Sequence, residues 1–144
     1  MSDFKFSTFQ LAWIEALKSG RYKFGRHVPR EMCKGEILYN SLGVAADVYL
    51  ELYTESVFMD GRTILLDHFN EVNPDDFIAD FYKVTITEAV ADRLGLLNFW
   101  GLLHEPFQTN FGAISSISHM NRVGYDHAFV AEYVCHHPRN VFCP

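Results

Sequence analysis

Seven histidines and three cysteines are the side chains with the widest chemical reach in this chain. Cys135-His136-His137 with Cys143 is the densest group of metal donors, and His119 with Asp126-His127 forms a second. A zinc site needs donors converging on one point, whereas adjacent residues point apart, and neither C-x-x-C nor H-x-x-x-H spacing occurs. The sequence therefore assigns no metal and no cofactor. His104-Glu105 and Asp67-His68 each put a base next to an acid. General acid–base chemistry needs such groups in one cleft, which adjacency in the chain does not provide. With no G-x-S-x-G, phosphate-binding loop, dinucleotide glycine fingerprint or paired-carboxylate motif, no catalytic residue is assigned.

Charge is the more informative pattern. The net value of −6 conceals a basic stretch of Lys18, Arg21, Lys23, Arg26, Arg30 and Lys34, opposed within it only by Glu31. Tyr22, Phe24 and His27 lie among these cations, a mixture suited to phosphate, bases or an acidic partner. Arg21, Tyr22, Lys23, Arg26, His27 and Arg30 are thus the candidate partner-binding residues, beside the plainer reading of a solvated loop folded against nearby acids. Those acids run from Asp47 and Glu51 through Asp75 and Asp76 to Glu88 and Asp92, an array that could imitate nucleic acid or simply cover helix and turn surface.

The elements that would position these groups read as one α+β domain spanning residues 1–144, with about five helices on a small antiparallel sheet. Phe6, Phe9, Trp13 and Leu17 line one face of a helix over about 7–19, with Ser7 and Gln10 as a capping box. Tyr22–Phe24 and Glu36–Tyr39 read as paired strands. A second helix runs from Val44 to about Tyr53. Asp60-Gly61 between two β-prone runs predicts a hairpin near residues 56–66. Asn73-Pro74 predicts a turn or helix start, and Thr85 or Thr87 caps a third helix through Arg93. Leu96–Asn110 is apolar without period, hence loop or short strands. Ile114–Arg122 and Asp126–Cys135 form a final helix pair around Gly124. Gly20, Gly43, Gly95 and Gly124 end helices or set turns. The pair has helix-turn-helix spacing, but Asp126, His127 and Glu132 stand where a DNA reader needs cations.

Trp13, Ala16, Leu17, Ser19, Gly20 and Tyr22, then Leu42-Gly43-Val44 with Asp47 and Tyr49, then Leu94-Gly95-Leu96, and finally Asn121, Gly124, Phe129 and Ala131 make a pattern over most of the chain. It resembles a family of small proteins encoded by tailed bacteriophages. The resemblance implies an accessory product acting in an infected bacterial cell and carries no activity with it. Relatives often place a Cys-Cys pair before Leu-Gly-Val, where this chain has Asn40 and Ser41, so no thiol or metal role transfers.

Three cysteines, too few and odd in number for a disulfide framework, the lack of a charged-then-apolar leader and the lack of a long apolar run lead us to expect a cytoplasmic protein with no membrane span. The preferred reading is a host-directed effector that binds and inhibits a bacterial protein, such as a defence or nucleic-acid enzyme. A small enzyme acting on nucleotides or nucleic acid and a weak helix-turn-helix DNA module are the alternatives.

Overall fold

A computed structural model describes residues 4–59, 62–67, 70–72, 86, 88–110 and 112–144. The elements in chain order are α1 (Thr8–Lys18), β1 (Arg30–Cys33), β2 (Glu36–Tyr39), α2 (Ser41–Tyr53), β3 (Thr54–Met59), β4 (Arg62–Asp67), β5 (Asn70–Val72), α3 (Glu88–Leu94), β6 (Leu102–Thr109), β7 (Gly112–Ser116), α4 (Ile117–Arg122), α5 (His127–His136) and α6 (Pro138–Val141). The class is α+β.

Local signals place several helix ends. Ser7 accepts from the Gln10 amide and Gln10 returns a bond to the Ser7 amide, a reciprocal box that satisfies two free donors of α1. The last turn of α4 closes with Tyr125 N–H bonded to Met120 O and Gly124 N–H to Asn121 O. Gly124 sits at φ 108, which an L side chain rarely adopts, so glycine ends this helix. The following helix, α5, starts where Asp126 accepts from the Phe129 amide.

Strand pairing departs from the sequence reading. Instead of one sheet, three antiparallel units form among the described residues: β1–β2, β3–β4–β5 and β6–β7. The partner of β2 is Arg30–Cys33, not Tyr22–Phe24, and Phe24 meets Tyr39 only in an isolated parallel bridge. The segment expected to begin a helix at Ile114 is instead β7, because it completes a ribbon with β6, and the helix starts after Ser116, whose side chain caps His119. Six helices are present among the described residues, α6 being the addition to the five expected. The strands β3 and β4 pair from Thr54↔Asp67 to Met59↔Arg62. Asp60, Gly61, His68, Asn73, Pro74, Thr85 and Thr87 lie outside the described residues.

The β1–β2 connection is a two-residue turn, Lys34-Gly35, with both residues in left-handed conformation at φ 51 and 79. This turn matches the twist of a hairpin, but a lysine there carries steric cost that asparagine largely avoids. Lys34→Asn should therefore raise stability by about 0.5 kcal/mol, read as a small increase in Tm in a thermal melt.

The buried cluster draws on α1, α2, α3, β6, β7, α4, α5 and α6. Trp13, Phe9, Tyr49 and Phe142 are its largest fully buried side chains, each of the size that stabilises by roughly 1.5–3 kcal/mol on burial. Part of the aromatic surplus is therefore core. The helix α2 begins three residues earlier than its apolar period indicates, at Ser41, and Gly43 lies inside its first turn rather than ahead of it. Its amide donates to Asn40 Oδ1 at 2.8 Å, and its Cα lies beneath the Pro29 carbonyl. Gly43 is there for close approach, not for a turn.

Candidate functional site

The basic stretch folds against the start of the acidic array. Arg21 donates to Tyr22 Oη at 3.0 Å and reaches Glu51 Oε1 at 3.5 Å, while Lys23 pairs with Glu36. The Tyr22 hydroxyl donates to Asp47, and its ring meets Tyr39 edge-on at 4.9 Å. Burial, followed by the bond to Asp47, pushes the Tyr22 phenol well above its ordinary pKa. Burial likewise raises Tyr39, with the charge of Asp47 adding to it, while a side-chain hydrogen bond with Arg30 works the other way. Arg26 is exposed, with its guanidinium 3.2 Å from where a Cβ on Gly124 would stand, and His27 is exposed on the same loop. Exposed ion pairs such as those of Arg21 and Lys23 are screened by solvent and contribute little to stability, so both cations stay available to exchange partners.

The sequence reading passed over what lies beside them. Side chains alternate along a strand, and Arg30↔Tyr39 and Met32↔Ile37 are cross-strand pairs two residues apart, so all four share one face of the β1–β2 hairpin. Met32 is 62% exposed and Ile37 41%. The result is an apolar tip on a base of Tyr22, Tyr39 and Arg30. Arg, Tyr and Met are residue types enriched where proteins bind one another. Glu36–Tyr39 was legible as a strand in the sequence, but its pairing with Arg30–Cys33 was not.

A second grouping is internal. Ser41 N donates to Asn121 Oδ1 at 2.7 Å, Asn121 Nδ2 donates to Ser41 Oγ at 3.1 Å and to Tyr125 O at 2.9 Å, and Trp13 Nε1 donates to Ser41 O at 2.9 Å. His127 Nδ1 lies 2.9 Å from Ser41 Oγ, and the Phe24 ring stands edge-on to the imidazole at 5.2 Å. Burial pulls His127 down to about 4, against the smaller opposite effects of Asp126 and the Tyr39 backbone. A Ser–His contact of this kind resembles half of a hydrolytic pair. Ser41 is fully buried and His127 only 6% exposed, however, so the network ties α2, α4 and α5 together and presents no nucleophile to solvent.

The other histidines and cysteines are dispersed. His104 Nε2 donates to the Phe142 carbonyl at 3.1 Å, while Glu105, next along β6, contributes to a cleft elsewhere. These neighbours therefore do not share one site. Among the described residues no group of three or more His, Cys, Asp or Glu could hold a metal ion. In the final helix pair, His127 is buried and α5 exposes Asp126 at its N-terminus and Glu132 along its length, an acidic surface.

The cleft between β6, α5 and α6 encloses about 550 Å³. One wall is aromatic: Phe107 of β6 stacks on Tyr133 at 4.9 Å, Phe129 lies parallel to Tyr133 at 6.5 Å, and Tyr125 stacks on Phe129 at 4.1 Å. Asn140 braces that wall. It donates to Tyr133 Oη at 2.7 Å and to Glu105 O at 2.9 Å, and accepts from Glu105 N at 2.7 Å. Glu132 accepts from His136 Nε2 at 3.2 Å at the rim. The four-residue spacing of Tyr125, Phe129, Tyr133 and His137 was legible in the sequence; the arrival of Phe107 and Glu105 opposite them was not.

No helix among the described residues is long and apolar enough to cross a membrane. No family model matches the chain, and neither does any curated protein or solved structure.

Proposed function

We propose that the chain works by binding: it is a host-directed effector that docks the β1–β2 hairpin face on a bacterial protein, such as a defence or nucleic-acid enzyme, and inhibits or redirects it in the cytoplasm of an infected cell. The infection setting rests on the sequence resemblance. The docking surface rests on one observation, the exposed cross-strand pair Met32 and Ile37 above Tyr22, Tyr39 and Arg30. Apolar tips rimmed by Arg and Tyr bind through burial, with flanking charges setting orientation and encounter rate. Arg21, Lys23, Arg26 and His27 form that flank. The acidic exposed face of α5 disfavours nucleic acid as the direct partner, since phosphate contacts supply much of such affinity.

The test is a pull-down from bacterial lysate with the intact chain, with Met32→Asp/Ile37→Asp, and with Arg21→Ala/Lys23→Ala/Arg26→Ala. The intact chain should retain one stoichiometric partner. The first variant should lose it and the second should capture it more slowly and with altered salt dependence, while both keep Tm within roughly 2 °C because the positions are exposed. Retention of the same partner by both variants would remove the hairpin from the interface. Turnover of a nucleotide at trace protein concentration would instead favour the enzyme reading.

A further inference from the structure

We infer that the cleft between β6, α5 and α6 receives an arginine side chain presented by a partner polypeptide. Its volume of about 550 Å³ lies within the general range of ligand sites, roughly 300–1,000 Å³. The side chains around it make a specific chemical demand. Glu105 and Glu132 are the two acidic residues of the lining, and among the described residues that line it none is lysine or arginine. Phe107, Phe129 and Tyr133 supply the apolar wall. A guanidinium satisfies both halves at once: it pairs with carboxylates through a planar fork of donors, packs against aromatic rings, and carries an aliphatic stem that benefits from burial. An ammonium is more strongly hydrated and lacks the fork, so lysine fits less well. The net charge of −6 also steers cationic partners toward the chain and repels phosphates.

The cleft is formed before the ligand arrives. The three hydrogen bonds of Asn140 hold β6 against α5, and the stacked rings restrain one another. Ordering costs on binding are correspondingly reduced. Glu132 already lies beside His136 at the rim, a contact that a guanidinium can displace because both groups are exposed.

This inference rests on the reading that the chain binds a protein, but its test needs no partner, so loss of capture at the hairpin and failure here are separate results. N-acetylarginine amide, N-acetylcitrulline amide and N-acetyllysine amide are titrated into the 15N-labelled full chain and amide shifts are followed. Arginine should give saturable shifts at residues 105–107 and 129–140, lysine weaker ones, and citrulline, its uncharged analogue, none. Glu105→Gln/Glu132→Gln should lower arginine affinity by about tenfold or more, the size expected for losing charge-assisted bonds, at unchanged Tm. Equal binding of citrulline, unchanged affinity in the double variant, or no arginine-induced shift at the cleft would each overturn the assignment. The citrulline comparison uses the unaltered chain and does not depend on the variant folding.

Discussion

Gly43→Ala should lower Tm by roughly 10 °C, corresponding to about 3 kcal/mol for a chain of this size. Inside a helix this substitution normally stabilises by up to about 1 kcal/mol, because alanine is the better helix former. The sign reverses here for a steric reason. A Cβ on Gly43 would stand 1.7 Å from the Pro29 carbonyl oxygen, 2.5 Å from its carbon and 2.9 Å from Pro29 Cα. These are backbone atoms, so no side-chain rotation relieves the overlap. Either α2 or the loop segment leading into β1 must move by about an ångström or more to restore an ordinary contact distance. That movement breaks the bond from Asn40 N to Pro29 O, now 3.2 Å, and disturbs the Asn40 cap on the Gly43 amide. It also shifts Ser41, whose partners Trp13, Asn121 and His127 come from three other parts of the chain. Thermal unfolding followed by circular dichroism measures the effect. A Tm equal to or above that of the parent would show that the Pro29–Gly43 approach is not part of the fold.

The second large effect is acid destabilisation through His127. Its imidazole has a folded pKa of about 4, against an ordinary value of 6.5, because burial disfavours the charged form. Above pH 6.5 the residue is neutral in both folded and unfolded chains, and the full stability is present. As the pH falls from 6.5 toward 4, the unfolded chain takes up the proton first, and folding must give it back. Stability therefore declines through that window by up to about 3 kcal/mol and levels off, for this residue, below pH 4. Urea denaturation at several pH values should show the decline in the parent. In His127→Gln, whose side chain does not titrate, the slope between pH 6.5 and 4 should be shallower by that amount, so that the two stabilities converge in acid. Parallel curves for the two proteins would mean that His127 stays accessible to protons in the folded chain. An NMR titration of the His127 ring near pH 4 provides an independent check.

Both effects involve residues whose type was conspicuous in the sequence but whose role was not. Gly43 reads as a turn glycine because Leu42-Gly43-Val44 precedes an apolar helix period, and nothing nearby in sequence announces that Pro29 passes over it. His127 reads as one of several polar histidines next to an acid. Its charge state is set chiefly by burial, and the neighbours around the ring come from far away in the chain, among them Ser41, 86 residues distant, and Phe24. Burial is a property of packing, and a single-residue pattern carries little of it.

The candidate site divides in the same way. Arg21 to Arg30 stood out as a run of cations among aromatics, and that run does reach the surface beside the hairpin. Which of its charges are engaged by Glu36, Asp47 and Glu51, and that Met32 and Ile37 stand together at its tip, depended on the β1–β2 register and on α2 lying alongside. The acid array beyond Glu51 falls mostly on residues whose side chains lie outside those described.

By itself, the sequence determined the α+β class, the span of α1 with its Ser7–Gln10 box, the Gly124 stop, the Asp126 start of α5 and the separation of charge along the chain. These signals act over a turn or two, where a few backbone bonds and one side chain decide the outcome. Tertiary structure alone decided that β2 pairs with β1, that β7 replaces the start of a helix, that Gly43 is a contact point, and that Glu105 and Asn140, 35 residues apart, close a cleft over Tyr133. Such choices are settled by the summed burial and hydrogen bonding of distant segments, which overrides local preference wherever the two differ by a few kcal/mol.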